Sequence, residues 1–257
     1  MIESERELSA MVQELWDNDV NRLRPGQDYR ISLQGKAGDN MAINDDDDND
    51  GAGYPLFKFV DENIFQKETF LAFISLLDNY VSDTGEPEIV TPEEVAENHK
   101  FLDSIVKTPT MKIAHKYLVE KQLSPQDETQ FKEQLYRIWF ELYARRGSSR
   151  PDSSGFEHVF VGETRGGRTV IGFHNWIQLY LQEKLGHIDY KGYSVNANSP
   201  QTRTSTSWHC SSVGRTASSP KAASSSASVP SLSSPSTPCV SSARPTSGSK
   251  SSLVSTM

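Results

Sequence analysis

The sequence predicts an α+β fold: a helical N-terminal half, then an antiparallel β-sheet region, then a disordered tail. Three observations predict it. Hydrophobic spacing is helical, with repeated capping signals, as far as Gly147. From Phe156 the apolar residues alternate as in a strand, and Gly166-Gly167 punctuates them as a hairpin turn would. From Thr202 the composition collapses onto Ser and Pro and cannot bury a core. The expected divisions are 1–147, 148–201 and 202–257.

The net charge of -8 over 257 residues is unevenly spread. Residues 1–201 hold all 34 acidic residues against 21 basic ones, whereas residues 202–257 hold five basic residues, no acidic ones and 21 Ser. An acidic body argues against a simple basic groove for duplex DNA and leaves a local RNA site open. No apolar run reaches the ~18 residues of a membrane helix, so no membrane partner is expected. The first residues, MIESERELSA, lack the basic start and apolar core of a secretory signal. Both cysteines, Cys210 and Cys239, lie in the tail, so the body has neither a disulfide framework nor a thiolate metal site. Cytoplasmic residence is the simple expectation, and a disulfide-free secreted protein is the alternative.

In chain order, Leu8, Met11, Val12, Leu15 and Trp16 predict one apolar face on a first helix. The run Asp45 to Asp50, ending at Gly51, places Asp46, Asp48, Asp50 and Gly51 at calcium-loop offsets. Position twelve of such a loop needs a bidentate Glu and has Phe57, so a solvated loop is expected. Ile64, Phe65, Phe70, Phe73, Leu76 and Leu77 predict a helix between Asp61 and Tyr80. Thr91-Pro92 with Glu94 is a capping box, Thr108-Pro109 opens a further helix, and Ser124-Pro125 opens the next. That last helix should bury Phe131, Leu135, Ile138, Trp139 and Leu142, with Arg145 and Arg146 complementing its dipole and Gly147 stopping it. Residues 156–163 then read as a strand, RTVIG as its return, Asn175 to Gly186 as a short helix, and Asp189 to Val195 as another strand.

Of six histidines, His99, His115, His187 and His209 read as fillers or as tail and helix-end residues. His158 and His174 differ because they are symmetric about Gly166. A chain folded back there brings them opposite one another, with Cβ atoms ~5 Å apart. Two imidazoles at that range suit RNA cleavage, in which a base takes the 2′-hydroxyl proton and an acid protonates the 5′-oxygen. The spacing leaves open two unrelated histidines on a hairpin. By strand parity Glu157 and Glu163 point away from the His158 face unless a bulge intervenes; they could orient a metal or an imidazole from the side, but on sequence alone ordinary solvent-facing carboxylates are the favoured reading. Arg165 and Arg168 flank the turn and are candidates for touching RNA phosphate, or are plain turn residues. Lys191 in DYKGY reads as a solubilising lysine.

The strings GFEHVFVGE, GFHNWIQLYLQEK and IDYKGY resemble the EndoU family of poly(U)-specific endoribonucleases. The likeness runs back through PDSSGFEHV, TPEEVAEN, FISLLDNY and DYRISLQGKAG, and so covers residues 5–200. It implies an α+β enzyme that cuts single-stranded, uridine-rich RNA with manganese and leaves 2′,3′-cyclic phosphate ends. It further implies His158 and His174 as catalytic histidines and Glu157 and Glu163 as carboxylates needed for activity, with the β-sheet part as the catalytic region. No Asp/Glu/His spacing identifies metal ligands, and a monomer is expected. The family also uses a lysine beyond the DYKGY segment, and nothing after Pro200 matches that stretch, so the catalytic region is expected to be truncated. The codons of Thr202–Ser241, read one nucleotide earlier, admit a string containing GSIFIGVSPEFEFALYT, which the resemblance implies should stand there. That frame places the lysine codon across Ser218 and Ser219, and the tail's own composition then has no functional meaning. An RNA-binding pseudoenzyme without cleavage is the alternative function.

Overall fold

The computed structural model describes residues 2–36, 50–145, 150–165, 169–195 and 206–212. The helices are α1 (Ile2–Asp17), α2 (Glu68–Ile74), α3 (Pro92–Val106), α4 (Pro109–Glu120), α5 (Glu128–Trp139) and α6 (Trp176–Lys184). The strands form three antiparallel pairs: β1 (Tyr29–Ile31) with β2 (Phe57–Val60), β3 (Glu163–Arg165) with β4 (Thr169–Ile171), and β5 (Ile188–Val195) with β6 (Thr206–Ser212). The mixed α+β class is as expected, helices first and most strands after.

The capping chemistry works as the residue types dictate. Thr91 accepts a hydrogen bond from the Glu94 amide while the Glu94 carboxylate accepts one from the Thr91 amide. Thr108 caps α4 in the same way through the Met111 amide. Asn175 accepts from the amides of Ile177 and Gln178 and so starts α6, which Gly186 ends at a positive φ of 73°. The start of α5 is corrected: Asp127, not Ser124, caps it by accepting from Gln130. The apolar stretch after Asp61 is broken in two, a 3₁₀ turn over Ile64–Gln66 and then α2, because Lys67 between them is extended.

Three further expectations are corrected. Of the five apolar residues expected on one face of α1, Met11 and Leu15 are buried, against Ala114 of α4, while Leu8, Val12 and Trp16 are exposed. On α5 Phe131 is buried, Ile138 is exposed, and the helix stops at Trp139, so Arg145 lies well beyond its dipole. Within the stretch expected to lack structure, Thr206–Ser212 pairs with β5. Thr and Trp in TSWHCSS favour strands locally, which a Ser-weighted average conceals.

The main core is aromatic, and Phe156 sits at its centre, fully buried. Its ring lies 5.0 Å from Phe160, 5.1 Å from Phe140 and 5.7 Å from both Phe73 and Phe101. Burying one such side chain contributes roughly 1.5–3 kcal/mol. A smaller cluster of Ala52, Leu56, Leu179 and Tyr190 packs under Phe173. Among the described residues no helix is long and apolar enough to cross a membrane.

Candidate active site

Residues 156–163 were expected to form a strand, and that expectation is corrected. Glu157–Val161 is a π-helical turn, closed by the Gly162 amide donating to the Glu157 carbonyl at 2.8 Å. Phe156 and Phe160 drop into the aromatic core from this turn, and that anchoring outweighs the strand-like alternation of the sequence. Only Glu163–Arg165 is strand. Its register pairs Glu163 with Ile171 and Arg165 with Thr169, which centres the hairpin on Gly167 rather than Gly166.

The two histidines are therefore not ladder partners, yet the return segment brings them together. The amides of Phe173 and His174 donate to the carbonyls of His158 (3.0 Å) and Val159 (2.6 Å). Gly172 permits this approach, because at φ 70° a Cβ there would collide with the His158 carbonyl oxygen. The imidazole centroids lie 6.3 Å apart with planes at 71°.

The parity expectation for Glu163 is also corrected. Five residues past His158 across the wide turn, its carboxylate accepts a 2.7 Å hydrogen bond from His158 Nδ1. Glu163 is 1% exposed and also accepts from Ser153 Oγ at 2.8 Å and from the Arg145 guanidinium. Burial works to raise its pKa, but the bonds from His158, Arg145 and Ser153 hold it below the ordinary carboxylate value. An ionised Glu163 only accepts, so Nδ1 of His158 bears a proton in this bond, which leaves Nε2 as the nitrogen that faces a reacting group.

Arg145 is a residue that sequence reasoning missed. Its guanidinium also donates to Ser153 Oγ (2.9 Å) and lies 3.7 Å from the buried Asp152 carboxylate. The available signal was the arginine's place beyond the helix, among the polar residues preceding Phe156. Glu157 is separate from this bonded set. It is buried beside Glu88, one carboxylate oxygen has no partner, and burial with the nearby charges of Glu88 and Glu163 pushes its pKa up to about 9. Glu88 is itself pushed up to about 7, chiefly by burial.

His174 is half-buried, and burial together with the His158 charge lowers its pKa. It is therefore neutral at neutral pH and able to accept a proton. Arg165 is exposed at the end of β3, whereas Arg168 lies outside the described residues. Of the acidic run only Asp50 is described. It pairs with Lys191 at 3.0 Å, and Asp189 holds the same ammonium at 2.7 Å. Among the described residues no group of three His, Cys, Asp or Glu could hold a metal ion. His99 stacks on Tyr136 and His115 on Phe131, as fillers do.

Comparison with known proteins points to one endoribonuclease family. The family described as Endoribonuclease XendoU matches residues 7–225, past Pro200 and through β6. Uridylate-specific endoribonuclease B of Danio rerio is 84% identical over 201 residues, covering 78% of this chain and 71% of that protein. Poly(U)-specific endoribonuclease-B of Xenopus laevis is 58% identical over 193 residues, covering 75% and 66% respectively. The solved structure of XendoU, described as a splicing-independent snoRNA-processing endoribonuclease, superposes with a TM-score of 0.67 at 51% identity, covering 80% of this chain and 73% of that one.

Proposed function

Because the chain belongs to the XendoU endoribonuclease family, we propose that it cleaves single-stranded, uridine-rich RNA at uridylates, leaving 2′,3′-cyclic phosphate ends. One observation carries the reading: two imidazoles 6.3 Å apart, one of them oriented by a buried carboxylate. In the proposed step neutral His174 takes the proton of the 2′-hydroxyl. The 2′-oxygen then attacks phosphorus. The 5′-oxygen departs with the Nε2 proton of His158, which acts in its imidazolium form while its Nδ1–H stays hydrogen-bonded to the Glu163 carboxylate. Arg145 and Ser153 act through Glu163 and position the ring. Arg165 and Arg168 at the hairpin turn are proposed phosphate contacts.

Manganese dependence enters the proposal from the family resemblance alone, and each step above uses only the chain's own groups. A monomer in the cytoplasm is the proposed setting. The sequence after Pro200 lacks a match to the family's lysine, and that favours a second reading, RNA binding without cleavage. Loss of one such charge stabiliser costs ~10²–10³ in rate.

A fluorogenic oligonucleotide with a single uridine, incubated with the full chain and manganese, tests both. Cleavage at the uridine, a cyclic phosphate end and loss of both on His158→Ala support the enzyme. Tight binding with no cleavage supports the second reading. Cleavage indifferent to His158→Ala overturns the histidine assignment.

A further inference from the structure

Between the helices lies a partly open cavity of about 100 Å³ that the chemistry above does not use. Phe70, Phe101, Met111, Phe131, Phe156 and Phe160 form much of its wall. Its rim carries Asn21 and Thr69, the Thr69 hydroxyl donating to the Asn21 amide oxygen at 3.1 Å. Close-packed interiors contain few voids larger than a water molecule. An apolar cavity of roughly 150 Å³ takes up benzene. Walls made of ring faces and edges favour a flat ring, through offset and edge-on contacts.

The cavity also lies against the site. Phe156 and Phe160 flank His158 at two residues on either side, and Asn175, which lines the cavity, directly follows His174. Whatever fills the space restricts the two phenylalanines that anchor the π turn. We propose that this cavity is a binding site for a small, uncharged ring compound of the phenol or indole class, and that its occupancy is transmitted to the histidine pair. The ring lies among the phenylalanines and its single polar group turns toward Asn21 and Thr69. Binding here precedes and does not require RNA cleavage.

The test titrates the full chain with phenol and with indole, following Tm, methyl resonances and imidazole resonances. The expected result is a saturable rise of roughly 3–6 °C at tenfold excess over the dissociation constant. The Met111 and Ile177 methyls shift with the same saturation curve, as do the His158 and His174 imidazoles, while the Leu56 methyls in the second cluster stay fixed. Ile105→Phe, which puts a ring into the cavity from α3, removes the Tm response. Leu118→Phe does the same from α4, should the first variant fold poorly. Either of three results overturns the proposal: no saturable rise, equal shifts at Leu56, or saturated methyl shifts with unmoved imidazoles.

Discussion

The two segments that carry the histidines are held by different forces. His158 rides on a π turn whose phenylalanines are sunk in the core, and its ring is fixed by Glu163, which Arg145 and Ser153 fix in turn. His174 lies on an irregular stretch between β4 and α6, held by main-chain bonds to the π turn and by the Asn175 cap behind it. One ring is oriented through side chains, the other through backbone. The difference teaches that substitutions should separate the two: side-chain changes disturb His158, and backbone changes disturb His174.

The largest effect is expected from the rings themselves. His158→Ala and His174→Ala should each lower cleavage by about 10²–10⁴-fold, measured as kcat on a single-uridine oligonucleotide, with RNA affinity kept. Arg145→Met comes next. It leaves the buried Glu163 charge without its cation, and breaking a buried pair costs about 3–5 kcal/mol, readable as a lower urea midpoint together with impaired cleavage. Gly172→Ala acts on the other segment. It forces Phe173 and His174 off the His158 and Val159 carbonyls and should cost about 10²-fold in kcat, the effect of a misplacement near 1 Å, with far-UV circular dichroism unchanged.

Glu157→Gln should do least, although the family resemblance places Glu157 among the needed carboxylates. The folded protein keeps a proton on Glu157 up to about pH 9, whereas an ordinary glutamate releases it near 4.5. The group's contribution to stability is therefore full below about 4.5 and is lost as pH rises toward 9. A glutamine stays neutral, so Tm should be unchanged at acid pH and higher at alkaline pH, by roughly 2–4 °C per kcal/mol recovered. Cleavage should be retained. His174 has the opposite sign: its lowered pKa means that stability rises with pH through the ordinary imidazole range, and the base should stay active somewhat below pH ~6.5.

The helix caps were legible because a cap is local. Thr91, Thr108 and Asn175 each satisfy amides within three residues, so sequence order alone identifies the partners. The proximity of His158 and His174 was anticipated through a hairpin argument whose first strand is, around His158, a π turn. EHVFV alternates like a strand, and its true conformation is set by phenylalanine contacts with residues such as Phe73 and Phe140, distant in sequence. That same long-range packing turned Glu163 toward His158 against strand parity. Arg145 was illegible for a related reason: it looked like a helix-end cation, and its real partners, Asp152, Ser153 and Glu163, are joined to it only by the fold. The exposed residues of α1 were misread because five neighbouring apolar positions suggest a broad face, while of these α4 covers Met11 and Leu15.

The cavity among the helices adds a thermodynamic point. Its lining lacks packing partners on the unfilled side, a loss that grows with the volume left empty. Ligand or filling side chain should both recover part of it.

The central claim is that the π turn makes the two imidazoles a single catalytic unit. The most direct measurement is a double-substitution cycle on single-turnover cleavage of a uridine oligonucleotide by the wild type, His158→Ala, His174→Ala and the double variant. Groups that act together are strongly non-additive, so the double variant should be no slower than the worse single one. Losses that simply multiply would contradict the account, and so would a wild type that binds the RNA and leaves it uncut.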